Sequence, residues 1–190
     1  PVNVEEIKSL AAPIKIFDMG GVCFVCSGRL TYQKGFDRLL LWFSKIDNHL
    51  STLVIIGDGD LKHELMQKSV DLNIQHRVNF VGFCDNPWKW YAGADAFLLP
   101  SRWEGMPNSV LESLACGTLV IATAEAGGIA EICVNEDSDS ITIAYSEKEF
   151  IKAMNNSIHI KGSIALNNLL PEIYFMKNVV NQIENWLENE

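Results

Sequence analysis

Six short apolar runs rich in β-branched residues, separated by stretches of helical periodicity, constrain this chain more than any other feature. The runs are Val22 to Cys26, Leu53 to Ile56, Val78 to Val81, Ala96 to Leu99, Leu119 to Ala122 and Ile141 to Ala144. Each is too short for a helix and reads as a buried strand. After the first, Phe36, Leu39, Leu40 and Phe43 recur at the i, i+3, i+4, i+7 spacing of an amphipathic helix, and Leu61, Leu65 and Lys68 through Leu72 repeat it more weakly. Further helices are expected from Pro107 to Cys116, ended by Gly117 as a C-terminal cap, from Ile129 to Cys133, and from Lys148 to Ser157. Such alternation predicts an α/β chain: a Rossmann-like parallel sheet with helices on both faces.

The 190 residues are 48% hydrophobic and contain no Gly/Ser-rich linker, so a single domain over 1–190 is expected. The chain opens on Pro1 and not on methionine, which leads us to expect a segment of a longer polypeptide whose partner domain lies elsewhere. Beyond Lys161 the sequence turns polar and irregular. A last amphipathic segment then runs from Ile173 to Leu187, where Ile173, Val180, Ile183 and Leu187 could close over the body or meet the absent domain.

Fifteen basic against twenty-four acidic residues give a net charge of −9, which disfavours a nucleic-acid or anionic-lipid surface. Any phosphate site must therefore be local. No run of about 18 apolar residues and no basic leader is present, so neither a membrane span nor a signal peptide is expected. Cysteines 23, 26, 84, 116 and 133 are odd in number and mostly set in apolar stretches, which reads as buried thiols in a reducing, cytoplasmic location. Cys23 and Cys26 form a Cys-x-x-Cys inside a strand, where period two sends them to opposite faces and argues against a redox or zinc site. His49, His63, His76 and His159 are scattered and read as surface histidines.

Open parallel sheets bind ligands outside the carboxyl ends of their strands, so the loops after the runs carry the chemistry. In Glu104-Gly-Met-Pro-Asn-Ser-Val-Leu-Glu112, proline is tolerated only in the first helical turn, which leaves Glu104 in the loop and places Glu112 inside the helix. Both acids then face one helix mouth, whose unpaired N–H groups suit a phosphate while the acids hold hydroxyls. A nucleotide sugar has both kinds of group. The simpler alternative for Glu112 is a capping box with Ser109, and for Glu104 a solvated loop acid.

The first loop, Ser27-Gly-Arg-Leu-Thr-Tyr-Gln-Lys-Gly35, offers Gly28 for close backbone approach and Arg29 and Lys34 as a diphosphate clamp. Each cation about 4 Å from a phosphate charge contributes roughly 4 kcal/mol at an effective dielectric near 20, before desolvation. Two surface cations beside a helix start fit that loop equally well. In Gly57-Asp-Gly-Asp60 the acids read as caps more readily than as a metal-holding Asp-x-Asp, and no metal is expected. In Val81-Gly-Phe-Cys-Asp-Asn86, Gly82 allows backbone approach and Phe83 is either a wall for a base or a core side chain. Ala126-Gly-Gly-Ile-Ala-Glu131 places a glycine pair at another strand-to-helix turn, which either offers N–H groups to the crevice or only turns the chain.

Taken together, Ser27-Gly-Arg-Leu with Lys34-Gly-Phe, Gly57-Asp-Gly, Val78-Asn-Phe-Val-Gly82, Glu104-Gly-Met-Pro-Asn and Gly127-Gly-Ile-Ala-Glu131 resemble the donor domain of family 4 retaining glycosyltransferases over most of Val22 to Ile132. Glu104 and Glu112 match that family's E-x7-E signature. The resemblance implies the carboxyl-terminal half of a GT-B fold, with 1–13 as interdomain connection and 165–190 as a C-terminal helix region. It implies a hexosyltransferase that retains anomeric configuration without an obligatory metal or other cofactor, using a nucleotide-diphosphate sugar, a UDP-sugar first, in surface-polysaccharide or lipid-linked glycan assembly. Arg29 and Lys34 would contact the diphosphate, Glu104 the sugar and Glu112 the ribose. Gly105, Met106, Pro107 and Asn108 would complete the pocket, with Gly28 beside the phosphates and Gly82 and Phe83 near the base. The resemblance further implies that the isolated domain transfers little, makes no membrane contact itself, and belongs to an enzyme peripheral to the cytoplasmic membrane face. Ser140 departs from a glycine frequent in the family, and the tail after Lys161 is only loosely alike. A GT-B epimerase acting on a nucleotide sugar and a scaffold module that has lost its ligand are the competing expectations.

Overall fold

The computed structural model describes residues 1–12, 20–134, 140–157 and 168–188. Pro13, His159 and the stretch 161–167 fall outside the described residues. In chain order the elements are α1 (Val4–Leu10), β1 (Cys23–Ser27), α2 (Phe36–Phe43), β2 (Thr52–Ile56), α3 (Lys62–Asp71), β3 (Val78–Gly82), α4 (Trp88–Ala92), β4 (Ala96–Leu99), α5 (Asn108–Ala115), β5 (Leu119–Thr123), α6 (Ile129–Val134), β6 (Ile141–Ala144), α7 (Glu147–Asn156) and α8 (Met176–Glu188). All six strands pair in parallel in the order β3-β2-β1-β4-β5-β6.

Strand alternation divides the core into two layers. Cys23, Val25, Val54, Ile56, Phe97 and Leu99 point to the face covered by α1, α4, α5 and α6. Phe24, Cys26, Leu53, Ile55, Ala96 and Leu98 point to the face covered by α2, α3 and α7. Cys23 and Cys26 thus lie on opposite sides of the sheet, and burial pushes the Cys23 thiol up to about 12. The central strands β1, β2 and β4 are buried on both faces, which is why they read as continuous apolar runs, while β3 and β6 at the edges are partly exposed.

Residues of the expected connection are folded. Asn3 caps α1 by accepting from the Glu6 amide, and Val4 and Ile7 enter the core. Val2 is hydrogen-bonded to the tail on both sides, from its amide to the Tyr174 carbonyl at 2.9 Å and from the Met176 amide to its own carbonyl at 3.0 Å. Helix α8 leaves Val180, Ile183, Trp186 and Leu187 exposed along its length.

Because the chain moves outward from β1 in both directions, the loops after β1 and β4 lie side by side with their crossover helices on opposite faces. This is the topological switch point, where open α/β sheets leave a crevice. Gly35 seals it from below: its φ is +68°, and a Cβ there would sit 2.0 Å from the Pro100 carbonyl oxygen. Gly105 has nothing within 4 Å of the same position. Gly35→Ala is therefore expected to lower unfolding free energy by at least the roughly 1–3 kcal/mol of a left-handed non-glycine residue. Gly105→Ala should leave it nearly unchanged, and urea denaturation of the two variants checks the contrast.

Candidate functional site

The first-loop cation and the fourth-loop acid meet. Lys34, at the end of a short 3-10 turn after β1, places Nζ 2.7 Å from Glu104 Oε1 across a sequence separation of seventy residues. The Ser101 hydroxyl donates to the same oxygen at 2.6 Å. The Glu104 side chain is only 8% exposed and that of Lys34 21%, so the pair sits in a half-buried notch. Gly28 lies beneath the Lys34 stem, where a Cβ would meet Lys34 Cε at 3.2 Å. Arg29 is exposed and has no ion-pair partner among the described residues.

Proline sets the mouth of α5. Pro107 occupies the cap position with φ −79° and ψ 89°, the helix begins at Asn108, and no side chain caps it. The Val110 amide turns back to the Pro107 carbonyl at 2.9 Å, and the amides of Asn108 and Ser109 make no hydrogen bond among the described residues, at a helix N-terminus that favours an anion. Gly105, Met106 and Asn108 are exposed around that mouth, while Pro107 is buried. One turn into α5, Glu112 points to the α4 side and accepts from the Trp88 indole Nε1–H at 3.2 Å. It makes no capping box with Ser109. Burial raises the Glu112 carboxyl above its usual value, and the Trp88 hydrogen bond offsets part of that rise.

The other loops brace this arrangement. The Gly127-Gly128 turn packs against the Glu104-Gly105 backbone: a Cβ on Gly127 would fall 2.2 Å from the Glu104 carbonyl, and Gly128 N–H donates to the Gly105 carbonyl at 3.0 Å. The glycine pair therefore supports the acid loop, and the Gly128 amide is spent inside the protein. Arg38 of α2 ties two loops together, donating to the Pro100 carbonyl at 2.8 Å and the Ser101 carbonyl at 2.8 Å after β4 and to Glu125 at 2.5 Å after β5. Asp58 accepts from the Gly59 amide and from Lys62, so its oxygens serve the turn. Among the described residues no cluster of three or more His, Cys, Asp or Glu could hold a metal. Phe83 stands 78% exposed at the rim, beside Gly82, above which lies open space.

Four contributors are absent from the sequence reading: Ser101, Trp88, Arg38 and Tyr91. The Tyr91 hydroxyl lies 2.5 Å from Ser27 Oγ under the first loop. Trp88 and Tyr91 lie on a five-residue helix, too short for periodicity to signal. Arg38 acts through contacts 62 to 87 residues away, which no local spacing encodes, whereas Ser101 lies only three residues before Glu104 in the same loop.

The fold defines a Rossmann-like class of α/β domain, and comparison with known proteins makes the class specific. The chain belongs to the group 1 glycosyl transferases, whose family model matches residues 12–168. It is 30% identical over 131 residues, 69% of this chain and 36% of the relative, to an N-acetylgalactosamine-N,N'-diacetylbacillosaminyl-diphospho-undecaprenol 4-alpha-N-acetylgalactosaminyltransferase of Campylobacter jejuni. All of it superposes on 54% of the lipopolysaccharide outer core galactosyltransferase WaaB, with a TM-score of 0.77 at 22% identity. It likewise superposes on 55% of Anabaena HepE, solved with UDP and glucose, with a TM-score of 0.74 at 19% identity. The chain spans only 28–36% of the length of the first curated relatives it matches.

The raised Glu112 carboxyl makes a stability prediction with a definite sign. The native state holds this proton more tightly than the unfolded chain, so the contribution favours folding below the ordinary value of 4.5 and is lost as pH rises through the native value. Glu112→Gln removes the titration. Thermal melts should show the variant gaining stability relative to the parent as pH rises from 4 to 7, the sign expected from a buried acid.

Proposed function

We propose that this domain binds the nucleotide-sugar donor of a glycosyltransferase that retains anomeric configuration, with a uridine diphosphate hexose as its ligand. The observation that carries the reading is the Lys34–Glu104 pair, which joins the loop after β1 to the loop that leads into α5 at the switch point. Lys34 and Arg29 take the diphosphate, with the α5 amides behind it. Glu104, released from Lys34, accepts from hydroxyls of the sugar. Glu112, fixed by Trp88, accepts from the ribose diol, and the rim at Gly82 and Phe83 borders the base. Gly28 lets the backbone come close to the phosphates, and Gly105 through Asn108 surround the sugar.

In transfer, negative charge grows on the departing diphosphate, and fixed cations and helix amides aimed at that position lower the barrier. No metal or other cofactor is assigned a part in this reading. Support for uridine comes from the superposition on a protein solved with UDP and glucose. Support for a larger enzyme comes from the length of the relatives and from the exposed apolar stripe of α8, which a second, acceptor-binding domain would cover. The hexose goes to a hydroxyl of a glycan or lipid-linked acceptor, as expected for surface-polysaccharide assembly.

Without ligand, Lys34 is already engaged, so phosphate must displace a carboxylate. Lys34→Ala should weaken UDP binding about tenfold or more, the loss of one charge-assisted contact at ~1.5–3 kcal/mol. Glu104→Gln should tighten UDP binding severalfold, because the competing partner is neutral. Calorimetry with UDP and GDP checks both, and unchanged affinity in Lys34→Ala and in Glu112→Ala would reject the site.

A further inference from the structure

Two large aromatic side chains stand in water on the loops that carry Lys34 and Glu104, and none of the roles above uses them. Tyr32 is 61% exposed and Trp103 52%. Tyr32 precedes Lys34 by two residues and Trp103 immediately precedes Glu104, so the rings belong to the two loops that the ion pair joins. They lie 6.2 Å apart at 53°, two walls of an open wedge.

The wedge is held from behind. Arg102 lays its guanidinium 3.7 Å from the Tyr32 ring centroid, gives both terminal nitrogens to Asp37 at 2.8 Å each, and donates to the Tyr32 carbonyl at 2.6 Å. The two loops are clipped together by Arg102 N–H to the Gln33 carbonyl at 2.8 Å and by Gln33 Nε2 to the Trp103 carbonyl at 3.0 Å. Exposed rings fixed this way lose little entropy when something stacks on them.

Chemistry narrows what that something is. Arg102 is neutralised by Asp37, so the wedge offers no free charge to a phosphate or carboxylate. It offers ring faces, together with Gln33 Oε1, which accepts no hydrogen bond among the described residues. A pyranose has the matching surface: one face of C–H groups to stack, and hydroxyls at its edge to donate.

We propose that Tyr32 and Trp103 form a stacking platform for a pyranose ring of the acceptor glycan, placed beside the position where the new bond forms. This rests on the glycosyl-transfer reading, and its test separates the two. Saturation-transfer NMR on the 190-residue chain with saturating UDP, using methyl glycosides of glucose, galactose, N-acetylglucosamine and N-acetylgalactosamine, detects contact through the C–H face. At least one glycoside should show transfer. Trp103→Ala and Tyr32→Ala should each weaken that signal about tenfold, ~1.4 kcal/mol, and Trp103→Phe should retain most of it. UDP affinity should stay within twofold in all three variants, and unchanged melting temperatures show that they fold. No transfer from any glycoside, or transfer unaffected by Trp103→Ala, overturns the platform. A tenfold loss of UDP affinity in Trp103→Ala also overturns it, by assigning that ring to the nucleotide base. Transfer through Trp103 in a chain that binds no nucleotide would refute the donor-site reading while keeping the wedge as a carbohydrate site.

Discussion

Strand β1 hydrogen-bonds to β2 on one side and to β4 on the other, and the chain winds away from it in both directions. Crossover helices on opposite faces cannot cover the gap between the loops that follow β1 and β4. Every feature of the candidate site follows from that gap. Lys34 and Glu104 are seventy residues apart in sequence, yet their loops leave adjacent parallel strands at the same edge. Arg38 then fixes the spacing by bonding from α2 to the carbonyls of Pro100 and Ser101.

The electrostatic character of the crevice is local and opposed to that of the whole domain. With a net charge of −9, long-range attraction for a diphosphate is absent, so affinity has to come from contacts at close range. The Lys34–Glu104 pair keeps a half-buried ammonium compensated until an anion arrives, which avoids the penalty of an unpaired buried charge. On the proposed reading the same pair links phosphate and sugar recognition: an anion that captures Lys34 frees Glu104 to accept from hydroxyls. Ser101 stays on the carboxylate and limits how far it can swing.

Strand positions were legible because the central strands, buried on both faces, impose apolar runs, and each observed strand begins and ends within one residue of its run. Helix α5 was legible because Pro107 permits only one reading of its start, and Gly117, with φ +78°, ends it. Helices α1 and α4 were not, since seven and five residues give periodicity too little length. Residue types at the site could be read from loop composition, but their partners could not. Nothing near Glu104 in sequence announces Lys34, and nothing near Glu112 announces Trp88, because those contacts are products of topology. Phe83 shows the limit of base rates: a phenylalanine is usually buried, and this one is 78% exposed.

Glu112 illustrates why such a site is expensive to keep. A carboxyl one turn inside α5, walled by Trp88 and the buried Tyr91 and Cys116, is harder to ionise than a surface acid. An apolar side chain of similar size would suit that packing better. The single indole hydrogen bond compensates one oxygen and leaves the other without an equivalent partner among the described residues, which suits the ligand diol of the proposed reading. Burial makes the ionised acid costly in the free domain, and on the proposed reading the ligand diol offsets that cost. That is the trade expected where binding, and not packing, decides the residue.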